Sequence, residues 1–113
     1  MASDNCIFCK IARKEIPAKF VGENDLAIAF WDVSPRQPLH ILVIPKLHYA
    51  NVAELTLSDE ASLVAVMKLG SELALELADQ SFRLSFNTGE AAGQTVFHAH
   101  GHLTSRTPSG DRA

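Results

Sequence analysis

Two periodicities organise this chain. Phe82, Leu84 and Phe86 alternate with Arg83, Ser85 and Asn87, the two-residue repeat of a half-buried strand. Leu63, Val66, Met67, Leu73, Ala74 and Leu77 recur instead at helical spacing and predict one long helix from about Ser58 to Ala78. Ser58 is its expected N-cap, and Asp59 and Glu60 fall in the first turn, where the helix dipole favours acids. Lys19 to Gly22 and Leu26 to Trp31 read as short strands around the turn-prone Gly22-Glu23-Asn24-Asp25. His40 to Ile44 is a third strand, closed by Pro45, and the prolines at 35 and 38 make Val33 to Pro38 a loop. Residues 6–14 suit a short helix with Cys6, Cys9 and Ile11 on one face, ended before Pro17. Thr88 to Gly93 is a glycine-bearing loop and Thr95 to Leu103 the final strand. The Pro-, Ser- and Gly-rich residues 104–113 form an expected mobile tail. Hairpin-like strands, one long helix and two more strands make an α+β fold around an antiparallel sheet.

Composition narrows the classes. The 113 residues suffice for a single domain, 1–113, and not for a second core. With 47% hydrophobic and 20% charged residues, the chain resembles an ordinary globular protein rather than a disordered one. Lys and Arg total 10 against 13 Asp and Glu, so the basic excess of a nucleic-acid binder is missing. Apolar runs such as Leu39 to Pro45 fall far short of the roughly 20 residues that span a bilayer, and Met1 to Asn5 lack the basic start of a signal peptide. The expected setting is the cytoplasm, with neither nucleic acid nor membrane as partner.

The chemistry concentrates in His98-Ala99-His100-Gly101-His102. Alternation along a strand puts the three imidazoles on one face, about 6.5 Å apart. Phe97, Ala99, Gly101 and Leu103 then suit the core. Such a row supports two chemistries. Imidazoles two residues apart can converge on a metal ion. Alternatively, one neutral imidazole attacks phosphorus and later departs, while neighbouring donors balance the phosphate charge. Cys6-Ile-Phe-Cys9 leaves its own alternatives open: a metal half-site, a redox pair or two core cysteines. A redox pair fits less well, because no strand precedes the first cysteine.

Gly93-Gln94-Thr95-Val96-Phe97-His98-Ala99-His100-Gly101-His102 closely resembles the motif of the histidine triad (HIT) family. Ordered blocks extend the resemblance along nearly the whole chain: Cys6 to Ile11, Glu15 to Ala18, Ala29 to Pro35, His40 to His48 and Phe86 to Gly89. The pattern is most similar to the nucleoside phosphoramidase branch, the Hint or protein kinase C inhibitor-like proteins. The resemblance implies a five-stranded antiparallel sheet with one long helix and a short N-terminal helix, assembled as a homodimer. It implies a hydrolase that cleaves purine nucleoside phosphoramidates or related adenylates at the α-phosphorus through a nucleotidyl-histidine. His100 matches the nucleophile, His102 the phosphate donor, His98 the residue that orients the nucleophile, and His40 a relay behind them. Asn87, Gln94 and Thr95 match positions at the phosphate or leaving group, Asp32 the ribose acid, and Phe8, Ile11, Phe30 and Val33 the slot for an AMP-type base. Independently of the family, Asp32 at a strand end can clamp vicinal hydroxyls or merely cap its loop.

Many family members with an N-terminal Cys-X-X-Cys hold a structural zinc ion, and the matching positions are Cys6, Cys9, His48 and His98. No catalytic cofactor is implied. Two departures stand out: Ala99 and Gly101 replace the bulkier residues usual within the triad, and Leu103-Thr104-Ser105-Arg106 replaces the common ending. Smaller residues there let the sheet pack closer or weaken the strand. The same nucleophile would serve a dinucleoside polyphosphate hydrolase, and a triad with little turnover would make a nucleotide-binding or scaffold protein. A catalytic metallohydrolase lacks the carboxylate ligands that would complete an open site.

Overall fold

The computed structural model describes residues 5–79 and 81–108. Among them, five strands form one antiparallel sheet in the order β1-β2-β3-β5-β4. The strands are β1 (Phe20–Glu23), β2 (Ala27–Trp31), β3 (Leu39–Pro45), β4 (Arg83–Ser85) and β5 (Gly101–Ser105). Three α-helices accompany them, α1 (Ile7–Ala12), α2 (Val52–Ser58) and α3 (Glu60–Leu77), with one short 3-10 turn at Glu90–Ala92. The α+β antiparallel architecture expected from the sequence is the one observed.

β3 lies at the centre and every one of its residues is buried. Its alternation therefore sorts two apolar layers rather than a core and a solvent face. Leu39, Ile41 and Val43 join Ala27, Ala29 and Leu103 beneath α3. Leu42 and Ile44 join Ile28, Phe30, Phe8 and Ile11 on the opposite side, beneath α1. The face that α3 buries is centred on Val66, Leu69, Gly70, Leu73, Ala74 and Leu77. Met67, expected on that face, is instead exposed, because the stripe runs through Leu69 and Gly70. The missing side chain of Gly70 admits Leu84, whose Cδ2 would lie 3.1 Å from an added Cβ.

The N-cap of α3 is Asp59, not Ser58. Asp59 Oδ1 accepts from Ser62 N at 3.0 Å, while Oδ2 accepts from Ser62 Oγ and Tyr49 Oη. These bonds stabilise the ionised form and hold the Asp59 carboxyl below its ordinary pKa, and the same contact raises that of the Tyr49 phenol. Ser58 closes a separate helix, α2, whose cap Asn51 accepts from Glu54 N at 2.9 Å.

The last strand also differs from expectation. It begins at Gly101 rather than Thr95, and the β3–β5 ladder ends at the Val43–Gly101 pair. Pro45 has no N–H to give, its carbonyl takes the His98 side chain, and Ala99 N donates to Tyr49 O at 2.6 Å. Residues 94–100 thus leave the sheet, and Phe97, expected in the core, is half exposed. At the other end β5 continues through Thr104 and Ser105, and Pro108 pairs with Ala78, so this part of the expected tail is structured. Residues 109–113 lie outside the described residues. No helix among the described residues is long and apolar enough to cross a membrane.

Candidate active site

The side of the sheet under α1 opens into a cleft of about 1160 Å³, roomy for a small-molecule site. His100 and His102 line it, with His40 behind them and Phe8, Ile11 and Phe30 forming an apolar wall. Phe8 stands edge-on to Phe30 at 5.6 Å and to His100 at 5.2 Å between ring centroids. Val33 also lines the cleft and is 97% exposed. Asp32, Asn87 and Thr95 also line the cleft. Trp31, Arg36 and Val96 line it without having been foreseen; their positions beside Asp32, Pro35 and Thr95 were the available signal.

Backbone partners fix which nitrogen of each ring carries the proton. His100 Nδ1 lies 2.8 Å from the carbonyl of His98, which can only accept, so Nδ1 carries the hydrogen and Nε2 the lone pair. Every buried side-chain polar atom among the described residues has a partner, and His100 Nε2 has none, so that nitrogen must reach the open cleft. Burial keeps the His100 ring neutral by lowering its pKa.

His40 Nδ1 accepts from Arg36 N at 3.1 Å, which leaves the hydrogen of the neutral ring on Nε2. That hydrogen faces His102 Nδ1 at 3.0 Å and Asp32 Oδ2 at 3.4 Å. His102 accordingly accepts at Nδ1 and carries its own hydrogen on Nε2, an atom without a protein partner among the described residues. Burial, then the neighbouring imidazoles, push the His102 pKa down to about 4. Asp32, His40 and His102 are close enough to group around an ion, but a metal at His40 Nε2 would displace the hydrogen that Arg36 N–H places there. The geometry is that of a hydrogen-bond relay.

His98 is fully buried behind Phe8 and does not line the cleft. Its Nε2 donates to Pro45 O at 2.8 Å, turning the Nδ1 lone pair towards Cys6 Sγ and Cys9 Sγ, each 3.4 Å away. His48 Nδ1 lies 3.3 Å from Cys9 Sγ, and all four donor atoms lie within 4.8 Å of one another. Around one tetrahedral ion with bonds of about 2.3 Å to sulfur and 2.0 Å to nitrogen, such sulfur–nitrogen edges measure about 3.5 Å. The two thiols are not joined by a disulfide, and the set fits a borderline-soft metal. Burial pushes the His98 pKa down to about 4, favouring the neutral ligand form.

Gln94 departs from expectation. Only 2% exposed, it does not line the cleft, and both ends of its amide are engaged by backbone. Oε1 accepts from Gly89 N at 2.8 Å, and Nε2 donates to Ala50 O at 2.7 Å and Val96 O at 3.0 Å. No hydrogen of that amide remains for a phosphate.

An antiparallel α+β fold with three alternate histidines leading into its last strand, two at a cleft and one at a thiol cluster, defines a histidine triad domain. The HIT domain family matches residues 13–109, and the chain belongs to that family. It is 47% identical over 102 residues to an uncharacterised HIT-like protein of Synechococcus elongatus, covering 89% of this chain and 90% of the relative. It is 36% identical over 110 residues to the purine nucleoside phosphoramidase of Escherichia coli K12, covering 96% and 92%. A HIT family hydrolase from Clostridium thermocellum superposes with a TM-score of 0.85 at 42% identity, covering 92% of each chain. These relatives support an enzyme of the HIT type.

Proposed function

We propose that this chain is a cytoplasmic nucleotide hydrolase that cleaves purine nucleoside phosphoramidates or related adenylates at the α-phosphorus, with His100 as nucleophile. The observation that carries this reading is the orientation of His100: Nδ1–H held by the His98 carbonyl, Nε2 bare and open to the cleft. Nε2 attacks phosphorus, the bond to the amine breaks with its electron pair, and the amine leaves with a proton from water. The nucleotidylated ring is positive, and the carbonyl at Nδ1 stabilises that charge. Water then attacks phosphorus, the P–N bond to His100 breaks, and the nucleoside monophosphate departs.

The other groups serve binding and polarity. His102 Nε2–H donates to a phosphate oxygen, backed by His40. Asn87 and Thr95 face the phosphate side of the cleft. Asp32 gives one lone pair to Ser34 N at 2.7 Å and keeps others for ribose hydroxyls. Phe8, Ile11 and Phe30 hold the base, with Val33 closing over it. Cys6, Cys9, His48 and His98 would hold a structural zinc ion, which pins the N-terminal turn to the end of β3. Four protein donors leave no open position on it. The family's homodimer would cover the open edge of β4, beside which Phe82 is 44% exposed.

The test is turnover of adenosine 5′-phosphoramidate by wild type and His100→Ala, both with chelator present. Release of ammonia by the wild type, lost in the variant, is expected. A wild type that binds AMP but releases no ammonia would be a nucleotide-binding protein instead.

A further inference from the structure

The phosphate side of the cleft is built from backbone that the sheet does not hold. Gly93, Thr95 and Val96 line it, yet residues 86–100 contain no ladder pair. Gly93 adopts a left-handed φ of 97°, and an added Cβ there would approach the Asn87 amide at 3.7 Å. One buried side chain closes this loop on itself. Gln94 Oε1 accepts from Gly89 N, while Gln94 N donates to Gly89 O at 3.1 Å, so the two residues are tied in both directions. The Nε2 end spans two carbonyls, those of Val96 and Ala50. Ala50 follows Tyr49, whose carbonyl takes Ala99 N, and His48, which belongs to the thiol cluster.

We infer that Gln94 is a positioning residue: it registers the phosphate-facing loop against the 48–51 segment that also anchors His98 and His100. It touches neither substrate nor reacting atoms. Its amide supplies one acceptor and two donors to three backbone groups, a combination that no apolar or acidic side chain of the same length reproduces. This inference rests on the hydrolase reading above, because what Gln94 positions is the wall facing phosphorus. The base slot is built by α1, β2 and β3, and the Gln94-bonded loop reaches it only through Val96, packed against its edge.

The experiment compares wild type, Gln94→Met and Gln94→Glu. Met keeps the length without hydrogen bonds; Glu keeps an acceptor for Gly89 N but turns an oxygen towards the two carbonyls. Single-turnover rates with adenosine 5′-phosphoramidate, the Kd for AMP and the urea midpoint are measured on each. Loss of register by about an ångström slows chemistry about 10–100-fold. Both variants are expected to show that loss in the single-turnover rate, while Kd for AMP changes less than about threefold. Unchanged rates with a lowered urea midpoint would make Gln94 a scaffold residue only and overturn the inference. So would weakened AMP binding with an unchanged rate in the bound complex, which would place the amide on the ligand. If Gln94→Met fails to fold, Gln94→Glu decides by the same readouts. An inactive wild type overturns the hydrolase reading and this inference together, whereas an active wild type with unaffected variants overturns this one alone.

Discussion

The two halves of the histidine segment are held by different forces. From Gly101 to Ser105, backbone pairs with β3 on one side and β4 on the other, and His102 inherits its place from that ladder. From Gln94 to His100 there is no ladder. Backbone bonds from Gln94 and Ala99, one buried amide, the His98–Pro45 contact and the thiol–imidazole cluster hold this half, and with it His100. A ladder spreads its stability over many equivalent bonds, whereas the other half depends on a few side chains with no substitutes. His100, the proposed nucleophile, thus sits where local stability rests on single residues, while His102 does not.

The largest expected break in this contrast comes from loading the thiol–imidazole cluster with zinc and stripping it again. An ion present at 1,000 times its Kd stabilises the fold by about 4 kcal/mol. Chelation should lower the urea unfolding free energy of the zinc-loaded wild type by about that amount and leave Cys9→Ala unmoved. An unresponsive wild type would mean that the cluster contributes as a packed core alone.

Acid should act next, on the chelated protein. His98 has an ordinary pKa of 6.5 and a folded one of about 4. Between these values the unfolded chain binds the extra proton, so stability is complete above pH 6.5 and is lost as pH falls towards 4. His98 alone accounts for about 3 kcal/mol. His102 adds in the same direction and over the same window. Urea titrations at pH 7 and pH 4.5 measure the difference, and equal midpoints would show that these rings are solvated.

The ladder half is best probed at Gly101. A Cβ there would meet Phe86 Cζ at 2.9 Å and Leu84 Cδ1 at 3.1 Å. Gly101→Val should therefore cost about 1–3 kcal/mol by overpacking, while its response to chelator stays that of the wild type. A changed chelator response would show that the two halves are coupled. The smallest effect is expected at the α2 cap, where Asn51→Ala should cost about 1 kcal/mol. Faster amide exchange confined to α2 would confirm that this helix is a local unit.

The departure at Gly101 illustrates how the sequence and the fold divide the information. A small residue within the triad permits either closer packing or a weaker strand; the Phe86 ring, seated against the missing Cβ, shows closer packing. Asn51 followed by Glu54 carried a helix-start signal for α2 that the longer periodic stretch overshadowed. Asp59 was legible as a first-turn acid, and its role as cap emerged only with Tyr49 and Ser62 beside it. The early start expected for β5 extended a two-residue period past the point where β3 could pair. Pro45, without an N–H and with its carbonyl already taken, ends that pairing.

By itself the sequence determined the α+β class, the central strands, the histidine row and the family, because alternation, helical spacing and motif order are properties of neighbouring residues. The family resemblance already implied that Cys6 and Cys9 meet His48 and His98; only the tertiary structure decided which imidazole nitrogens are bare and that Gln94 bonds three backbone groups. Those outcomes depend on donors and acceptors brought together from distant segments, and no local pattern encodes which backbone group will be near enough to bond.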